Sequence, residues 1–319
     1  MTSGDDTGKT TVVVVTWRGR EHLAACLDAL AAQTAGHRVL VVDNASDDGT
    51  AAIIAAHPSR PAVHRTRANL GYAGALARVL PGVATEYVAW LNDDAAPAPD
   101  WLAELEAVLD ADPAVGAASA RLETTGGDTQ SVGVVLTPDG YGRDATGGEV
   151  FGFCGGAALL RTRAVALAGG VPAAFFCYYE DTDTSWRLRL AGWTVRSVPS
   201  ARVRHLHGAS TRPGSATFHR WNERNRLWML LRCAPAGVAV RELARFAAIT
   251  ALLPVRRLAG RAVPDAWNYR LPLRLRVLAE VLGRVLSLVG ERRAITRRAT
   301  VPRAAVWRSA NSAGQPPVT

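Results

Sequence analysis

Asp93 and Asp94 stand side by side after an apolar run, Tyr-Val-Ala-Trp-Leu, and Asn92. Adjacent carboxylates repel unless something cationic lies near. A hard divalent cation suits them, because it bridges carboxylate to phosphate oxygens. A solvated turn that caps the next helix is the other reading. A second acidic cluster, Asp43-Asn44-Ala45-Ser46-Asp47-Asp48-Gly49-Thr50, follows Val41-Val42. Asp43 can accept hydrogen bonds from a base or a ribose. It can also open an Asx-turn that leads to an N-cap, and the two uses are compatible. Glu180-Asp181-Thr182-Asp183 precedes a helical segment with Arg187. Acids at such a place complement a helix dipole, or one acts as general base toward an attacking hydroxyl. His205 and His207 lie two apart and share a face if their strand persists. They are structural, or one of them is a ligand.

These groups need elements to hold them. Thr11–Thr16 is a β-branched run, read as a strand buried on both faces. Arg20–Gln33 has helical spacing in Leu23, Cys26, Leu27 and Leu30. Strands are expected at Val39–Val42, Ala62–His64, Glu86–Leu91 and Val115–Ala120, with helices at Thr50–Ala56, Tyr72–Leu80 and Asp100–Asp110. This alternation predicts an α/β fold with a mostly parallel central sheet flanked by helices. Ligands of such sheets bind beyond the carboxyl ends of the strands. Thr16-Trp17-Arg18, Asp43–Ser46 and Asn92–Asp94 all fall at strand ends, so one crevice should collect them. Val132–Leu136 reads as hairpin-like and Phe151–Arg161 as a glycine-interrupted strand. Thr182–Ala191 reads as a helix, Thr194–Val203 as short strands, and the chain beyond Phe218 as helical.

The chain has 319 residues and a net charge of +9, unevenly placed. From Ala216 onward there are 19 arginines against 5 acids, while residues 1–215 balance to −5. An acidic body with a basic tail points to an anionic partner for the tail. Cys26, Cys154, Cys177 and Cys233 form no CxxC pair, which argues against a zinc site or a disulfide framework and for a reduced, cytoplasmic setting. Neither a signal peptide nor a run of about 18 apolar residues is evident. Leu271–Leu288 mixes Leu and Val with Arg274, Arg276 and Arg284. That pattern suits a helix lying on an anionic membrane face, or one packed on the body with solvated arginines.

The ordered set Val13–Thr16, Cys26–Leu30, Gln33-Thr34, Val41–Thr50, Asn69-Leu70-Gly71-Tyr72, Leu91–Asp94 and Trp101-Leu102 resembles family-2 glycosyltransferases with a GT-A fold. Phe151–Ala157, Glu180–Arg187, Gly192-Trp193 and His205–Ser210 continue the likeness over roughly residues 11–232. Bacterial rhamnosyltransferase-like members that build cell-surface polysaccharide are the most similar. The resemblance implies an inverting, metal-dependent hexosyltransferase using Mg2+ or Mn2+. Its donor would be a nucleotide-diphosphate sugar, with dTDP-rhamnose first and UDP-sugars on a soluble acceptor as the alternative. Its acceptor would be a glycan or a polyprenyl-linked glycan, met at the inner face of the plasma membrane. By resemblance, Asp43 would hold the pyrimidine, and Thr16, Asn69, Asn92 and Asp93 would line the nucleotide-sugar pocket. Asp94 and His205 would ligate the metal, with His207 as the alternative. Gly155-Gly156 would meet the acceptor, and Asp181 would be the catalytic base with Glu180 beside it. Asp183 and Arg187 would support that motif. Asn92 stands in place of the first Asp of the family's DxD triplet, and Trp17-Arg18 in place of Tyr-Asn.

The expected organisation is a disordered start over 1–10 and a catalytic domain over 11–215. Its nucleotide-sugar half spans about 11–120 and its acceptor half about 121–215. An Arg-rich helical region follows over 216–308, and a disordered tail over 309–319. A nucleotidyltransferase needs a Gly-rich phosphate loop, and Thr16–Glu21 offers only Gly19. A non-catalytic nucleotide-sugar or nucleic-acid binder would rest on the basic tail alone; no nucleic acid is expected as partner.

Overall fold

The computed structural model describes residues 8–205 and 214–312. Strands β1 (Thr10–Thr16), β2 (His37–Asp43), β3 (Ala62–Arg65) and β4 (Tyr87–Asn92) alternate with helices α1 (Leu23–Ala31), α2 (Thr50–Ala56) and α3 (Gly71–Val79). They pair in parallel in the order β3-β2-β1-β4. Next come β5 (Ala95–Pro97), α4 (Trp101–Ala111), β6 (Val115–Glu123) and β7 (Thr129–Ser131). A separate hairpin, β8 (Gly133–Leu136) with β9 (Gly142–Ala145), precedes β10 (Ala157–Arg161), α5 (Thr162–Leu167), α6 (Glu180–Leu190) and β11 (Thr194–His205). Strand β10 enters antiparallel between β4 and β6, and β11 runs parallel to β6. The end of β11 pairs antiparallel with the short β5. Helices α7 (Ala216–Cys233), α8 (Ala236–Leu258), α9 (Leu271–Gly283), α10 (Val285–Arg298) and α11 (Arg303–Ser312) complete the chain.

The valines of β1 explain why this strand is central. Val12 and Val14 face Leu23, Leu27, Leu30 and Trp101, while Val13 and Val15 face Leu76, Val79 and Phe153. Successive side chains point to opposite faces, so an all-valine run fills two cores at once. Each such side chain contributes roughly 1.5–3 kcal/mol by leaving water. A third core joins Trp186 of α6 to Trp228 of α7, Val277 of α9, Ile295 of α10 and Val306 of α11.

Several expectations are corrected here. Only Ala157–Arg161 of the expected strand Phe151–Arg161 is a strand. Gly152 and Gly155 run against α6 instead: a Cβ on Gly152 would sit 2.6 Å from Ser185 Oγ and one on Gly155 3.2 Å from Asp181 Cβ. Thr194–Val203 belongs to one strand reaching His205, with a register shift between Val198 and Arg202. Glu180–Asp183 does not precede a helix but forms the first turn of α6. Thr10 already lies in β1, and Lys9 pairs with Asp110 and Glu106, so order begins before residue 11. At the other end, Ser309–Ser312 continue α11 rather than opening a disordered tail. Leu271–Leu288 breaks at Arg284, and Leu273, Val277 and Val281 are buried, so that face of α9 is used in packing. Among the described residues no helix is long and apolar enough to cross a membrane.

Candidate active site

Strand register assembles the crevice. Thr16 lies opposite Asp43, Asp43 opposite Arg65, and Val15 opposite Asn92. The three polar clusters therefore share one carboxyl edge, as expected. Asp43 is buried; its Oδ1 accepts from the Ser46 N–H at 2.9 Å and its Oδ2 lies 3.1 Å from Arg65 Nη1. The Asp43 bond reaches three residues on, one beyond an Asx-turn; Asp48 makes the Asx-turn, accepting from the Thr50 N–H and hydroxyl, and Gly49 takes the N-cap position of α2 without a side-chain cap. Asn44 ties in Asn69, donating to its Oδ1 at 3.0 Å, while the Asn69 oxygen also accepts from the Gly71 N–H at 2.8 Å. The Thr16 hydroxyl is buried without a partner. Beside it, a Cβ on Gly19 would lie 2.2 Å from Thr16 Oγ1 and 2.6 Å from Asp93 Oδ2, so a side chain there would close the gap. Arg18, at φ 58°, reaches across to Asp47 at 2.7 Å and closes the loop after β1 onto the loop after β2.

Asp93 and Asp94 form the tight turn between β4 and β5, and both are buried. Pairing of β5 with β11 sets Ala95 opposite His205. His205 Nε2 then lies 3.1 Å from Asp94 Oδ1 and 3.2 Å from Asn92 Nδ2. Its Nδ1 lies 3.1 Å from Gln130 Oε1. An amide oxygen only accepts, so Nδ1–H donates to it and the ring is held with Nε2 toward Asp94. Burial pushes the Asp94 pKa up, but the hydrogen bond and charge of His205, with His22, outweigh it and hold Asp94 below its ordinary value. Asp93 Oδ2 lies 3.5 Å from His22 Nε2, and that hydrogen bond raises the His22 pKa against the opposing effect of burial.

The donor set fits Mg2+ or Mn2+. One carboxylate and one imidazole, completed by diphosphate oxygens, is the kind of incomplete protein shell these ions accept. Among the described residues no three His, Cys, Asp or Glu side chains converge on a metal position. His207 lies outside the described residues.

Opposite this turn sits the N-terminus of α6. It is reached through a strained approach: Phe176, Tyr178 and Tyr179 have φ of 68°, 70° and 70°. Non-glycine residues pay for such left-handed backbone unless neighbours enforce it. Asn225 of α7 does so, its buried Nδ2 donating to the Phe175, Cys177 and Tyr178 carbonyls at 3.0, 2.8 and 2.8 Å. Asp181 Oδ2 accepts from the Gly155 N–H at 2.9 Å, and its Oδ1 accepts from the Thr182 N–H and hydroxyl. Burial raises its pKa while these donors pull it back. Glu180 is pushed up to about 8, by burial first and by the Asp181 charge second, and its buried Oε2 has no partner among the described residues. Asp183 is fully buried between Arg187 at 2.6 Å and Arg232 at 2.7 Å.

One backbone path links the two halves. The Gly156 carbonyl accepts from the Asn92 N–H at 3.0 Å, and the Gly155 N–H binds Asp181. Tyr72 donates its hydroxyl to the Gly155 carbonyl at 2.7 Å. Asn92, Asp94, His205, Gly155, Gly156 and Asp181 are thus connected. Thr16, Asp43 and Asn69 are joined along the neighbouring strand ends. Sequence reasoning assigned no role to His22, Arg65, Tyr72, Gln130 or Asn225, although Tyr72 stands in the matched run Asn69-Leu70-Gly71-Tyr72. Arg65 ends β3 and was open to the same strand-end argument; the others meet partners far along the chain.

This arrangement has counterparts. The family model for Glycosyl transferase family 2 matches residues 11–167. The N-acetylglucosaminyl-diphospho-decaprenol L-rhamnosyltransferase of Mycobacterium tuberculosis is 30% identical over 237 residues, covering 63% of this chain and 76% of that protein. Among solved structures, the mannosyltransferase PcManGT from Pyrobaculum calidifontis, in complex with GDP-Man and Mn2+, aligns with a TM-score of 0.54 at 20% identity. It covers 96% of this chain and 86% of its own. S. aureus TarS 1–349 with UDP-GlcNAc aligns at 0.56 and 14% identity, over 95% of this chain and 90% of its own. Structures this distant show the fold alone, and it is the expected GT-A fold. Taken with the family match and the rhamnosyltransferase relative, the sheet edge described above is that of a sugar transferase: the chain is a glycosyltransferase and belongs to glycosyl transferase family 2.

Proposed function

We propose that the chain transfers rhamnose from dTDP-rhamnose to a hydroxyl of a polyprenyl diphosphate-linked glycan, with inversion at the anomeric carbon. The observation that carries this reading is the hydrogen-bonded path from Asp94 and His205 through Asn92 and Gly156 to Asp181. It sets a site suited to a leaving diphosphate beside a site suited to a proton acceptor. The relative of known name acts on a decaprenyl diphosphate-linked sugar, which supports the same acceptor class. Work on such an acceptor belongs at the inner face of the plasma membrane.

Each group has a task. Asp43 and Asn69 hold the nucleoside; each Asp43 oxygen keeps lone-pair capacity beyond its present bond. The unpartnered Thr16 hydroxyl, with Asn92 and Asp93, faces the ribose and diphosphate. Asp94 and His205 would hold Mg2+ or Mn2+, which when bound supplies positive charge to the departing diphosphate. Gly155 and Gly156 leave room for the acceptor. Asp181 takes the proton as the acceptor O–H breaks. That oxygen then bonds to the anomeric carbon as the bond to the diphosphate breaks on the opposite face. Burial and the Asp181 charge push Glu180 up to about 8, while the donors that meet Asp181 favour its charged form.

The test is nucleoside diphosphate release. Purified chain is incubated with dTDP-rhamnose, UDP-sugars or GDP-sugars, Mn2+ or Mg2+, and a synthetic N-acetylglucosaminyl diphosphate lipid. Release from dTDP-rhamnose should need acceptor and metal, and Asp181→Asn should lower kcat by roughly 10²–10⁴. Release from another donor alone would replace the sugar assignment. No release from any donor, together with no metal-dependent nucleotide binding by calorimetry, would sink the proposal.

A further inference from the structure

Helix α8 outruns the body it packs on. Its buried face repeats as Ala239, Glu242, Phe246, Thr250 and Leu253. Beyond Leu253 none of the described residues covers it: every residue from Pro254 to Ala262 is exposed. This projecting arm carries apolar side chains into water. Leu258 is 89% exposed, Val255 59%, Leu252 52%, and Trp267 in the return loop 45%. Scattered exposed leucines need no explanation, but a group on one protruding segment does.

The charge on the same arm is one-sided. Between Pro254 and Arg270 stand Arg256, Arg257, Arg261 and Arg270, and the sole acid is Asp265. Asp265 is already taken by Arg270 at 2.9 Å, and that guanidinium lies over the Trp267 ring at 4.9 Å. Arg257, Arg261 and Arg270 line one open cleft with Gly260, Val263 and Pro264. Guanidinium groups pair with phosphate through parallel N–H donors. Leucine and tryptophan suit the boundary of headgroup and acyl chain. Only one kind of surface offers hydrocarbon and phosphate within a single layer.

We infer that residues 252–270 dock the chain on an anionic phospholipid bilayer. Leu258 and Trp267 enter the headgroup–acyl boundary, and the cleft of Arg257, Arg261 and Arg270 takes lipid phosphates. This moves the membrane contact away from Leu271–Leu288, whose apolar face is partly buried. It gives a reason for the arm that a lipid-linked acceptor would share, but it does not depend on that acceptor.

The experiment is flotation of the full chain with vesicles, without donor or acceptor, so that its outcome is separate from the transfer reading. Phosphatidylcholine vesicles are compared with phosphatidylcholine–phosphatidylglycerol vesicles. The variants are Leu258→Glu with Trp267→Glu, and Arg257→Glu with Arg261→Glu; all four positions lie on the projecting arm, and unchanged melting temperatures verify folding. Wild-type chain should float with the anionic vesicles and not with the neutral ones. Each double variant should bind at least about tenfold more weakly. The inference is overturned if wild-type chain ignores anionic vesicles or if both variants bind like wild type. Light scattering that shows a dimer dissolved by Leu258→Glu would assign the arm to a second copy instead.

Discussion

At the scale of single residues, the site separates its acids by environment. Glu180 and Asp181 are adjacent, yet Asp181 meets three donors and Glu180 Oε2 meets none. Burial therefore raises Glu180 to about 8. Between its ordinary value near 4.5 and about 8 the folded state keeps a proton that the unfolded state has lost. Stability must then fall as pH rises through that window. Glu180→Gln removes this loss, so the melting temperature of the variant should gain on wild type progressively from pH 5 to about pH 8. An unchanging difference across that range would refute the assignment. His205 makes a second case. Its Nδ1 proton is held by Gln130, which orients the ring toward Asp94. Gln130→Met keeps the volume and removes the acceptor. It should weaken Mn2+ binding in the presence of nucleotide by about 10–100-fold, read by calorimetry.

At the scale of elements, a three-residue strand does more than its length suggests. Strand β5 draws the end of β11 beside the Asp93-Asp94 turn, and without that pairing His205 would have no fixed relation to Asp94. The approach to α6 depends in the same way on α7. Three left-handed residues place Glu180 and Asp181, and Asn225 holds the carbonyls that this geometry exposes. Asn225→Ala leaves the Cys177 and Tyr178 carbonyls without their side-chain donor, while Phe175 keeps Arg224 Nη2, and the cost is about 1–3 kcal/mol for each group left unsatisfied. Assayed well below the lowered melting temperature, it should reduce kcat while KM for the donor stays within about twofold, because the nucleotide edge is untouched. Loss of donor affinity with kcat intact would show that Asn225 does not position the base.

At the scale of the whole molecule, the helical region is tied into the first turn of α6. Asp183 sits in that turn, and Arg232 reaches it from α7 while also meeting Glu291 of α10 at 2.8 Å. Removing one member of a buried pair leaves a stranded charge and costs about 3–5 kcal/mol. Asp183→Ala should therefore lower stability by that order in urea unfolding. A variant within about 1 kcal/mol of wild type would mean that the pair is replaceable by water. The basic tail is also less free than its charge suggests. Arg224, Arg226, Arg232 and Arg274 are buried, with Arg224 over Trp228 at 4.4 Å and Arg274 over Phe246 at 3.8 Å. Much of the positive charge builds the helical core, and arginines stand exposed together on the arm after Leu253 and again at Arg293, Arg297 and Arg298 of α10.

The strands ending at Thr16, Asp43 and Asn92 were legible because their signals are local. β-branched runs, turn residues and acids at strand ends lie within a few positions of one another, and parallel register aligns the ends without further information. The GT-A fold and the family followed from the ordered set of those motifs. Other features needed the folded chain. His22 meets Asp93 across 71 positions of sequence, Gln130 meets His205 across 75, and Asn225 meets Phe175 across 50. Such contacts depend on the packing of whole elements and on the direction of each side chain, and neither is written in the neighbourhood of a single residue. The same holds for the exposed end of α8. Its leucines read like those of any amphipathic helix, and only the absence of a body beneath them makes them a surface.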